Sequence, residues 1–72
     1  MILKMDISLF FGNKVRFYRQ QRKLSQEELG LLCNLHRTYI GSIERGERNI
    51  TLVNAYKISI ALDIPLSNFF ME

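Results

Sequence analysis

Cysteine, histidine and proline each occur once among the 72 residues, and glycine only four times. A single cysteine excludes an internal disulfide, and with a single histidine it cannot complete a four-ligand zinc site, so no metal is expected. No apolar run approaches the ~20 residues needed to cross a bilayer, and no signal-peptide pattern opens the chain. The expected setting is therefore the cytoplasm, away from membranes. Catalytic constellations are missing too. Glu27, Glu28, Glu44 and Glu47 make no convincing acid–base pair, and neither Ser25 nor Ser42 has a histidine base at a recognisable spacing. An enzyme is not expected, nor a cofactor. No stretch alternates apolar and polar residues with a period of two, turn signals are sparse, and no repeat, linker or low-complexity segment interrupts the chain.

What is present is globular in composition, with 47% hydrophobic and 24% charged residues. A chain of this length buries roughly 60% of its unfolded surface, enough for one domain, residues 1–72. Without staples it must be idealised, helical, oligomeric, or some combination of these. The net charge is +3, and eight of the ten Lys and Arg residues lie between Lys14 and Arg48. The stretch Lys14 to Lys23 holds five of them and no acid. Clustered positive charge suits phosphates, although a charged helix face is more often simply solvated.

Periodicity predicts five helices in an all-α domain. The first runs from about Ile7 to Gln21 behind an Asp6 cap, with Ile7, Phe11, Val15 and Tyr18 on one face. Ser25 and Glu28 form a capping box for a second helix, whose apolar side continues through Leu29, Leu32 and Cys33. Asn34 tolerates left-handed backbone and marks a turn. A third helix occupies about His36 to Arg45 and stops at Gly46. Thr51 caps a fourth, Leu52 to Leu62, with Leu52, Ala55, Ile58 and Leu62 inward. Pro65 starts a last short helix, Leu66 to Phe70.

Two short helices joined by about three residues constitute a helix-turn-helix, here about residues 25–45, with Gly30 where the helices approach. On the third helix, Arg37, Thr38, Gly41, Ser42 and Arg45 cluster on one side, while Tyr39, Ile40, Ile43 and Glu44 lie around the other. Any amphipathic helix needs a wet face. These residue types, however, also suit guanine edges, thymine methyls and phosphates, and the DNA reading is favoured. Cys33 reads as a small core residue rather than a metal ligand.

The segment LSQEELGLLCNLHRTYIGSIERGERNITLVNAYKISIALDIPLSNFF resembles the Cro/C1-type, or XRE-type, helix-turn-helix domains of phage repressors. Its core, LHRTYIGSIERGERN, is most similar to the controller proteins of type II restriction–modification systems. The likeness covers about Phe11 to Phe70. It implies a compact five-helix, lambda-repressor-like domain that binds DNA. Gln26 would clamp a phosphate at a helix N-terminus. Arg37, Thr38 and Tyr39 would meet the major groove, with Ser42 and Arg45 joining them in some relatives. Arg48 and Asn49, in the following loop, would touch backbone or nearby bases. His36, at the start of the recognition helix, is placed near a phosphate. Gly30 and Asn34 depart from the usual alanine and glycine without threatening the assignment.

Controllers dimerise, bind paired, pseudo-palindromic operator sites, and both activate and repress their own operon, which makes RNA polymerase a further partner. The alternative is a phage, plasmid or toxin–antitoxin repressor of the same fold. Relatives also pair an arginine and a glutamate at the positions of Arg19 and Glu44, so a partly buried ion pair is expected there. Leu66, Phe69 and Phe70 either cap the core or form a self-complementary dimer patch; the patch is favoured, since dimerisation supports a small chain.

Overall fold

The computed structural model describes residues 6–71, all of whose regular structure is helical: α1 (Ile7–Gln21), α2 (Gln26–Cys33), α3 (Arg37–Glu44), α4 (Leu52–Leu62) and a closing 3-10 helix (Leu66–Phe70). Each α-helix starts on a side chain that accepts an orphan amide. Asp6 Oδ1 accepts from the amides of Ser8 at 3.0 Å and Leu9 at 3.2 Å. In the Ser25 capping box both arms form, at 2.9 and 2.8 Å. Thr51 Oγ1 accepts from the Asn54 amide at 3.1 Å. For α3 the acceptor is the ring of His36, whose Nδ1 takes the Thr38 amide at 3.0 Å.

The helix ends are equally local. Asn34 and Asp63 close α2 and α4 in the left-handed conformation, with φ of 60° and 56°. In the turn, the Leu35 amide donates back to the Gly30 carbonyl at 2.9 Å. The last element corrects the count of five α-helices. Five residues after a proline, with no side-chain cap, close only 3-10 turns, as in the Asn68 amide to Pro65 carbonyl bond of 2.9 Å.

Phe11, Val15, Leu29, Ile40, Ile43, Ile58, Leu62 and Phe69 fill the core. Three residues expected there are exposed instead: Ile7, Leu32 and Leu52. Ile7 and Leu52 are the first residues of their helices and line an open cleft at the edge of the core. On α2 the buried face is centred by Leu29, Gly30 and Cys33, and at 100° per residue Leu32 points well away from it.

Candidate nucleic-acid interface

The position of α3 is set by what lies beneath it. Gly12 on α1 lets the two backbones touch, since a Cβ there would stand 2.0 Å from the Ile43 carbonyl oxygen. Gly30 does the same for the turn, with the Leu35 carbonyl 2.3 Å from where its Cβ would be. Between these approaches lies a buried polar joint. Arg19 Nε and NH2 donate to the two oxygens of Glu44 at 2.6 and 2.9 Å, and Arg19 NH1 donates to the Leu24 carbonyl at 2.8 Å. Gln26 Nε2 adds a third donor to Glu44 at 3.1 Å. The hydrogen bond from Arg19 to Glu44 raises the guanidinium pKa against the opposing effect of burial. One carboxylate thus fastens α1, α2 and α3 together.

Above this joint the outward side of α3 presents Arg37, Thr38 and Arg45, all exposed. Gly41 lies between them, and the ends of two side chains lie over it: an ideal Cβ there would be 3.2 Å from Arg45 NH1 and 3.3 Å from Gln26 Oε1. Arg37 NH1 is 3.7 Å from Glu27 on α2. Arg45 is held more tightly, donating through Nε and NH2 to both oxygens of Glu47 at 2.8 and 3.1 Å. That pair raises the Arg45 pKa and lowers that of Glu47, chiefly through the hydrogen bonds. Tyr39 is half-buried, its hydroxyl accepting from Asn54 Nδ2 at 3.1 Å and its ring lying 5.4 Å from the Arg48 guanidinium. The exposed Asn49 accepts a bond from Ser8 Oγ at 3.4 Å.

Gln26 and Arg45 thus close over Gly41 on the face of α3 that carries the exposed Arg37 and Thr38. Arg48 lies against the Tyr39 ring, His36 caps the start of α3, and Asn49 is turned toward Ser8 of α1. Ser42 does not join this face. It is 6% exposed and its hydroxyl donates to the Tyr39 carbonyl at 2.8 Å. A helix of eight residues wedged between α1 and α2 is covered over more of its circumference than a single stripe suggests. The sequence pattern does not single out Glu47 or Asn54, which bond to Arg45 and Tyr39 here. Arg45-Gly-Glu47 is a local signal, readable as an arginine and a carboxylate either side of a turn; Asn54 reaches Tyr39 only through tertiary packing. Among the described residues no group of three or more potential metal ligands gathers. Cys33 is buried, with its thiol donating to the Leu29 carbonyl at 3.1 Å and its pKa pushed up by burial. No helix of the described residues is long and apolar enough to cross a membrane.

The expected dimer residues separate. Phe69 is wholly buried in its own chain, 5.3 Å from the rings of both Phe11 and Tyr18, and so offers nothing to a second copy. Leu66 is half-buried against the core. Phe70 stacks on Phe11 at 5.6 Å yet stays exposed, beside a shallow cleft of about 190 Å³ lined by Ile7, Ile50 and Leu52.

The sequence profile of the helix-turn-helix family matches residues 15–69. The chain is 47% identical over 68 residues to the control protein C.MunI of a Mycoplasma species, covering 93% of this chain and 92% of that protein. It is 53% identical over 60 residues to the control protein C.BamHI of Bacillus amyloliquefaciens, with 82% and 74% covered. Its fold is similar to the crystal structure of the restriction-modification controller protein C.AhdI from Aeromonas hydrophila. The TM-score there is 0.85 at 44% identity, over 88% of this chain and 96% of that one.

Proposed function

Because the chain belongs to the helix-turn-helix family, and within it to the control proteins of restriction–modification systems, we propose that it regulates its own operon from paired sites on double-stranded DNA. The observation that carries this reading is the outward face of α3. Arg37, Thr38 and Arg45 stand exposed on a helix whose inner side is fastened through Glu44. The planar fork of Arg37 suits the O6 and N7 acceptors of guanine, and Thr38 can meet a thymine methyl. Gln26 gives one amide hydrogen to Glu44, leaving the other for a phosphate beside the start of α2. Arg48 and Asn49 flank the helix where the sugar–phosphate backbone would run.

The regulator acts as a homodimer in a lambda-repressor-like arrangement, with two copies of α3 about 34 Å apart, one turn of DNA. Occupied pairwise at its operator, it both activates and represses, and polymerase is the partner through which it activates. The test is a titration of Arg37→Ala and Gln26→Ala on a duplex selected by the unaltered protein and on random duplex. Arg37→Ala should weaken the selected site by about 1–3 kcal/mol and random DNA little, whereas Gln26→Ala should weaken both alike. Equal loss on both DNAs for Arg37→Ala would remove base reading from that residue.

A further inference from the structure

We infer that Glu47 is a positioning residue, which turns Arg45 from a phosphate binder into a reader of base edges. This rests on the DNA-binding reading above and goes beyond it. An acid in the loop after α3 is costly for a protein that approaches phosphates, because it repels them wherever the protein lands. Its placement suggests what it gives in return. The carboxylate meets the guanidinium fork to fork, at 2.8 and 3.1 Å, a geometry that fixes the plane of the arginine. Two of the five guanidinium hydrogens are occupied. NH1 is left over Gly41, beside the Gln26 amide and on the side of α3 that carries Arg37 and Thr38. A free arginine at this position would swing to the nearest phosphate, which adds affinity for all sequences equally. A tethered one keeps its remaining donors aimed at the groove floor, and its charge is already balanced by Glu47.

The pair is exposed on both sides, with side chains 58% and 56% accessible, so its removal leaves folding nearly intact. Glu47→Gln, Arg45→Ala and the double variant are therefore titrated, by fluorescence anisotropy at several salt concentrations. The probes are one duplex enriched from a random pool by the unaltered protein and one random duplex. Glu47→Gln should bind random DNA several-fold more tightly, with a salt slope steeper by about one unit, as the released Arg45 finds a phosphate. Its preference for the selected duplex should fall about tenfold. In the Arg45→Ala background the same change should leave the preference unaltered. Unchanged preference in Glu47→Gln, or an equal fall without Arg45, overturns the role given to Glu47. Failure of the unaltered protein to enrich any duplex would instead overturn the DNA reading itself, so the two failures are told apart.

Discussion

Glu44 takes three side-chain hydrogen bonds from two other helices while nearly excluded from solvent. Truncating one member of such a pair strands the other charge in the interior. Glu44→Ala is therefore expected to cost about 3–5 kcal/mol, and Arg19→Ala a similar amount. Denaturant unfolding of both variants and their combination checks this, the combination losing far less than the two added together. Cys33 behaves differently, because burial favours its neutral thiol. Its pKa in the folded chain lies above the ordinary value, so the unfolded chain ionises first. Stability is then intact below the ordinary thiol range and lost as pH rises through it, above about pH 8.5. The unfolding midpoint of the native chain should fall more steeply there than that of Cys33→Ala.

At the level of elements, Gly12 makes the crossing of α1 and α3 possible. Alanine would favour the helix by about 1 kcal/mol on propensity alone. Its methyl would nevertheless collide with a main-chain carbonyl, which cannot step aside as a flexible side chain could. Gly12→Ala should thus lower the thermal midpoint, by an amount equivalent to about 1–3 kcal/mol, whereas Gly12→Ala predicted from propensity would raise it. The starts and stops of the helices were legible because they depend on neighbours in sequence: Asp6, Ser25, Asn34, Gly46 and Thr51 act within four residues of themselves. Gly12 is not legible in the sequence, since a glycine inside a helix reveals its purpose only when the crossing partner is known. Ser42, expected outward, lies inside for a related reason. The helical wheel sorts residues by one stripe, and α3 is gripped from more than one direction. Leu32 and Leu52 show the same limit at the edges of otherwise well-read stripes.

For the whole molecule, the exposed apolar surface beside Phe70 is the one that the proposed homodimer would close. Leu52 and Ile7, expected inside, lie exposed at this edge together with Phe70, whereas Phe69 has turned inward. Hydrophobicity alone made Phe69 and Phe70 equivalent; only the path of the closing 3-10 helix distinguishes them. Leu52→Glu or Phe70→Glu should give monomers in sedimentation equilibrium with operator binding weakened at least tenfold, and a helical signal close to that of the native chain. Dimers in both variants would place the contact elsewhere.

Fastening three helices at the inner carboxylate of α3 also has an evolutionary consequence. The residues proposed to choose a DNA sequence, Arg37, Thr38 and Arg45, are exposed and carry little of the burden of folding, while Glu44 and Gly12 carry much of it. Mutational drift on the outer side of α3 is therefore decoupled from survival of the fold. A lineage could re-letter its operator one outward residue at a time, and graft a relative's outward residues onto this frame, without passing through an unfolded ancestor.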